Sequence, residues 1–234
     1  MSRDRVVTLT VGTGGAIVAF ALARGDHRAY AYLAVTALLL TGATLVDRRV
    51  RFQPHLLAFL GASLVLHLCG GLLPGVDEKI LYDQWIVTGV LKVDQLVHFV
   101  SCAALTLACS SIIGRWLRPG VAPAGPAFVA ALMACGFGAA NELFEFLASL
   151  LLHDLDVGGQ DNTGWDLAFN LAGAVTVATW LSLRAQVHDV TGRDHATLAF
   201  GRLDDEVAVL VEVDRGARQV SAREQDADPS TQRR

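Results

Sequence analysis

Charge is what this 234-residue sequence has least of. Asp, Glu, Lys and Arg make up only 18% of it, against about 25% in an ordinary soluble domain. What charge there is sits unevenly: residues 1–184 hold 12 of the 19 Lys and Arg and 13 of the 23 Asp and Glu. The last fifth of the chain therefore carries nearly half. With 53% hydrophobic residues and a mean hydropathy of +0.42, the remainder is too apolar for a water-soluble fold, which excludes a soluble globular enzyme. The net charge of −4 and the lack of any basic stripe exclude a nucleic-acid binder. Cys69, Cys102, Cys109 and Cys135 form no CxxC pair and all fall in apolar stretches, so they read as small packing residues. GxSxG, P-loop and HExxH patterns are missing, and no internal repeat stands out.

What is there is a series of long apolar runs. A helix needs about 20 apolar residues to cross a bilayer. Segments 6–23, 29–46 and 54–73 contain no Asp, Glu, Lys or Arg, and 95–114 has only His98 as an ionisable group. Segment 126–152 is apolar apart from Asn141, Glu142 and Glu145, and 167–183 is uncharged again. The reading is an all-α integral membrane bundle of six transmembrane helices over residues 1–184. Loop cations set its orientation. An inside N-terminus places Arg3, Arg5, Arg48, Arg49, Arg51, Arg115 and Arg118 in the cytoplasm and Arg24, Arg28, Lys79 and Lys92 outside, and six spans then return the C-terminus to the cytoplasm. A competing reading of the first segment is a cleavable signal peptide ending near Ala21-Leu22-Ala23. Residues 185–234 form a polar cytoplasmic tail. Within it, two β-rich runs around Gly201–Asp205 suggest a hairpin over 196–213 that needs a partner protein or the membrane face, and the end is expected to be disordered.

The carboxylates are placed more tellingly than the total charge. Of the 13 acids in residues 1–184, only Asp4 and Asp47 fall on the cytoplasmic side. Asp26, Asp77, Glu78, Asp83, Asp94, Glu142, Glu145, Asp154, Asp156, Asp161 and Asp166 fall on or near the outer side. Asp94 and His98 are four apart, hence on one helix face. Glu142 and Glu145, beside Asn141, are three apart and on the order of 10–15 Å from the outer helix end. That depth is costly for a lipid-facing acid, so they face the bundle interior or a wet cavity. Asp166 and Asn170 are again four apart, with Gly173 and Ala174 below them permitting close helix approach. Asp94, His98, Asn141, Glu142, Glu145, Asp161, Asp166 and Asn170 are therefore the candidate pocket, and His98, Glu142, Glu145 and Asp166 the candidate ligands of a divalent cation such as Mg²⁺ or Mn²⁺.

The ordered set Val93-Asp94-Gln95-Leu96-Val97-His98-Phe99, Asn141-Glu142-Leu143-Phe144-Glu145, and Asp161 through Trp165-Asp166 and Asn170 to Gly173-Ala174 resembles the VanZ-like membrane proteins, and most of all their YjdF-like group. The likeness covers residues 80–180. Glu145 departs from the VanZ pattern, where a Gln commonly follows, and favours the YjdF-like side. The resemblance implies a multi-pass protein of the bacterial inner membrane, and for VanZ itself low-level glycopeptide resistance. It supplies no reaction. Three functions fit the residues: a pocket for a cation, a proton or an envelope-lipid headgroup; a metal-assisted intramembrane enzyme acting on a lipid headgroup; and a non-catalytic scaffold acting through its tail.

Overall fold

The computed structural model describes residues 1–76, 79–117, 121–151 and 159–190. Asp77, Glu78, Arg118, Asp154, Asp156, the 196–213 hairpin and the polar end lie outside the described residues. All described residues belong to one helical unit.

Six helices make up that unit: α1 (Arg3–Ala23), α2 (Arg28–Val50), α3 (Pro54–Leu72), α4 (Val93–Gly114), α5 (Ala124–Leu151) and α6 (Gly159–Val190). Each contains a stretch of 19 to 27 residues long and apolar enough to cross a bilayer, with mean hydropathies of 1.3 to 2.0. The fold is all-α at this level, as expected, and the starts of its helices follow from local chemistry. Ser2 caps α1 by accepting the Arg5 N–H, and Pro54 stands at the first turn of α3, where its missing N–H costs nothing. The Gln95 side chain reaches back to the Lys92 N–H at 2.9 Å and closes the start of α4.

Two features depart from the sequence expectation. Helix α6 begins at Gly159, eight residues before the uncharged run at 167, because Asp161 to Asp166 continue the helix as its polar first turns. The segment between α3 and α4 is also folded. It holds a 3₁₀ turn (Leu81–Asp83) and a hairpin of β1 (Trp85–Val87) and β2 (Leu91–Lys92), antiparallel, with Trp85 opposite Lys92. Gly89, at φ 75°, supplies the left-handed residue that the tight turn requires. The Lys92 ammonium lies 5.4 Å from the centre of the Trp85 ring, a cation–π distance.

Packing is uneven. Helices α4, α5 and α6 pack against one another, α3 joins them through α4, and α1 packs on α3. The α4–α5–α6 seam is built of Cys102, Ala131, Ala134 and Ala174; α1 and α3 meet around Val18, Ala21, Leu68 and Leu72, where Ala29 of α2 joins. The small residues of the α4–α5–α6 seam let backbones approach, which matters where lipid leaves no hydrophobic drive between helices. Ser63 of α3 bonds Ser101 of α4 at 2.8 Å. Helix α2 is the least covered, with Leu38 72% exposed; such a face suits hydrocarbon and not water.

The chain's two helix-end layers differ in chemistry. Where α2 ends and α3 begins, Arg3 bonds Asp47 and the Phe52 carbonyl, Asp47 accepts the Phe52 N–H at 2.8 Å, and Arg115 reaches the Arg49 carbonyl. The opposite layer, where α1, α3 and α5 finish and α2, α4 and α6 start, collects the acids.

Candidate functional site

The first turns of α4 put Asp94 and His98 on the side facing α6. The i,i+4 spacing places Asp94 Oδ1 3.5 Å from His98 Nε2. From α6, Asp166 brings its Oδ1 to 3.8 Å from the same nitrogen. From α5, Glu142 brings its Oε1 to 3.5 Å from the other ring nitrogen, Nδ1. Three carboxylates on three helices thus surround one imidazole. Asp166 is 1% exposed and Glu142 6%.

A residue outside the sequence-based set ties the arrangement together. Asn162, one turn before Asp166 on α6, donates to Asp94 Oδ2 at 3.1 Å and to Asp166 Oδ2 at 2.6 Å. One amide thereby clamps one oxygen of each aspartate and leaves both Oδ1 atoms turned toward His98. Its sequence signal was the i,i+4 relation to Asp166, the same relation that marked Asn170.

The remaining expected residues divide. Asn141 and Glu145 pair with each other, Nδ2 to Oε1 at 2.8 Å, one turn apart on α5. Asn170 is 3% exposed and packs against Gly138 of α5, where a Cβ would come within 2.7 Å of its amide nitrogen. Asp161 is exposed, beside Gly164, Trp165 and Ala168. Of the four residues expected to hold a metal, His98 and Asp166 stand together with Asp94, their ligand atoms within 4.8 Å of one another. Glu142 stands across the ring from them, and Glu145 is engaged with Asn141.

Three buried polar atoms in this region have no hydrogen-bond partner: Glu142 Oε1, Asp166 Oδ1 and Asn170 Nδ2. A buried polar atom without a partner costs about 1–3 kcal/mol, more in hydrocarbon. Two of the three orphaned atoms are those that face His98.

A second polar group adjoins at the same helix-end layer. The Tyr82 hydroxyl, from the 3₁₀ turn, lies 2.6 Å from His67 Nδ1 and 3.0 Å from the His67 carbonyl oxygen. Tyr32 of α2 packs on the His67 ring with centroids 5.3 Å apart. Gly70 and Gly71 of α3 make room for the Tyr82 and Tyr32 rings, which a Cβ at either position would strike. Burial pushes the Tyr82 hydroxyl well above its usual value near 10, so it stays a protonated donor.

No curated protein and no solved structure matches the chain. A family model does, over residues 5–186, which takes in all the apolar spans and every residue of the site. Six apolar helices long enough to span a bilayer accord with that family's description, and the chain belongs to the predicted membrane protein family DUF2238.

Proposed function

We propose that the protein is a VanZ-like protein of the bacterial inner membrane, with both termini in the cytoplasm. On this reading the His98 group forms a polar pocket in the outer half of the bilayer that binds a positively charged species: a cation, a proton or the charged part of an envelope-lipid headgroup. The orientation rests on the seven Lys and Arg assigned to the side of the α2–α3 turn against four on the other.

One observation carries the pocket: Asp94, Glu142 and Asp166 converge on a single imidazole. Among the described residues no Lys or Arg pairs with any of them. Three carboxylates outnumber the one charge that His98 can offer, so the ionised group has a net deficit of positive charge. At helix depth a bulk counter-ion cannot screen that deficit at low cost, and a bound cation, a proton or an ammonium headgroup supplies it.

The test is thermal unfolding of the detergent-purified protein across pH, K⁺, divalent cations and added phosphatidylethanolamine. A ligand that binds only the folded state raises the melting temperature with concentration. At least one of these species is expected to do so in wild type and to do nothing in Asp94→Asn/Asp166→Asn. Melting that is flat across the whole series, with a variant as stable as wild type, defeats the reading and leaves the polar group as helix packing.

A further inference from the structure

We infer that the charged species is a divalent first-row transition ion, held by Asp94 Oδ1, His98 Nε2 and Asp166 Oδ1, with Glu142 as the positioning residue behind the imidazole. The inference rests on the pocket reading above and narrows it to one chemical class.

The spacing is the first argument. A direct imidazolium–carboxylate hydrogen bond closes to about 2.7–2.9 Å, whereas Nε2 stands 3.5 Å from one aspartate oxygen and 3.8 Å from the other. Two ligands about 2.0 Å from one ion at a tetrahedral angle are roughly 3.3 Å apart. The observed gaps are close to the width of a shared ion and too wide for direct bonds.

The orientation of the donors is the second. Asn162 occupies Oδ2 of both aspartates, so the two free oxygens are both Oδ1 and both face Nε2. Asp166 Oδ1 is buried and without a hydrogen-bond partner, and a metal ion is one of the groups that satisfies such an atom.

The third is what lies behind the ring. A metal-bound histidine almost always donates its other N–H to a carboxylate, a carbonyl or water, which fixes its tautomer. Glu142 Oε1, 6% exposed as a residue and without a hydrogen-bond partner, stands 3.5 Å from Nδ1, as wide a gap as on the Nε2 side, and is the carboxylate placed to take that N–H when an ion holds the ring. The order Glu142–imidazole–ion–aspartates is that of a carboxylate–histidine–metal relay, and it is assembled across three helices. One imidazole with two carboxylates favours Zn²⁺, Fe²⁺ or Mn²⁺ over Mg²⁺ or Ca²⁺, which prefer oxygen alone.

The experiment uses the full chain in detergent, stripped with chelator and titrated with Co²⁺, whose visible bands report ligand type. Wild type is expected to bind one Co²⁺ per chain and to show a paramagnetically shifted imidazole N–H resonance that His98→Gln lacks. Asp94→Asn/Asp166→Asn should bind none, and Mg²⁺ at equal concentration should not compete. Glu142→Gln should still bind, with affinity 10- to 100-fold weaker and an altered imidazole resonance, a change that a merely structural role would not produce. If wild type is stabilised by K⁺, protons or phosphatidylethanolamine but takes up neither Co²⁺ nor Zn²⁺, the metal inference falls and the pocket stands. Equal Co²⁺ binding in wild type and in the aspartate double variant, or bound Co²⁺ with no shifted imidazole resonance, overturns the assignment of ligands. Should the double variant fail to purify in folded form, the wild-type and His98→Gln resonances decide alone.

Discussion

Asn162 shows how one side chain can organise a site without being its most reactive member. It bonds two carboxylates on different helices at once, one oxygen of each. Interhelical bonds in membranes average about 0.6 kcal/mol and reach about 1.7, so Asn162→Ala should destabilise the bundle by roughly 1–3 kcal/mol. Chemical denaturation in mixed micelles against wild type measures this, and an unchanged midpoint would deny Asn162 its role. A different residue-scale effect is expected at Asp26, between α1 and α2. There the carboxylate meets the Arg28 guanidinium at 2.7 and 2.9 Å and the Arg28 N–H at 3.0 Å. The Arg28 hydrogen bond holds Asp26 below the usual 3.8. A depressed carboxylate contributes stability that is complete above its unfolded value, near pH 4, and is lost as pH falls through the lowered value. Asp26→Asn should therefore melt lower than wild type near neutrality, by no more than about 1 kcal/mol for so open a pair, with the difference vanishing in acid. The i,i+4 pairs Asp94/His98 and Asp166/Asn170 could be read in the sequence because helical spacing is local. Which of them meet across helices could not, because that depends on how each helix is rotated. Hence Asp161 reads in sequence as a pocket residue and stands exposed, while Glu142 and Asp94 lie on opposite sides of the imidazole.

At the level of elements, the site depends on how closely α6 lies on α4. The small pair Gly173-Ala174 signals close approach in the sequence, and the structure shows its partner: a Cβ on Gly173 would strike the Phe99 carbonyl oxygen and come within 3.2 Å of the Ala103 nitrogen. Backbone cannot yield as a flexible side chain can, so Gly173→Ala must push the two helices apart. A destabilisation of about 1–3 kcal/mol is expected, accompanied by weaker ligand binding, since Asp94 and His98 ride on one helix and Asp166 on the other. Gly164, nine residues earlier on α6, has nothing within 4 Å of a Cβ. Gly164→Ala should be neutral or stabilising by up to about 1 kcal/mol through helix propensity alone. Melting curves of the two variants side by side separate close packing from propensity, and equal effects would remove the argument for contact. The existence of the six helices was legible because a run of some 20 uncharged residues needs no partner to declare itself. The Trp85–Lys92 hairpin was not, since strands of three and two residues carry too little alternation to register.

For the whole molecule, the distribution of polarity is what gives the bundle a direction. The sides of α1, α2, α5 and α6 expose large apolar residues, among them Leu9, Leu38, Phe128 and Leu171, as hydrocarbon demands. The two helix-end layers carry opposite chemistry, with arginines around the α2–α3 turn and carboxylates around His98. Short loops rich in Lys and Arg stay in the cytoplasm, so the layer with Arg48, Arg49 and Arg51 should face inward and the layer with Asp94, Glu142 and Asp166 outward. Single cysteines placed at Gln53 and at Val90, which is 69% exposed, in a chain whose four native cysteines are replaced by alanine, should report this with a membrane-impermeant maleimide on intact cells. The Val90 site should label and the Gln53 site should label only after lysis. The reverse pattern would turn the His98 group toward the cytoplasm, so that its ligand would come from the cell interior and an envelope-lipid headgroup of the outer leaflet would be ruled out as the occupant, while the carboxylate geometry around the imidazole would be unchanged.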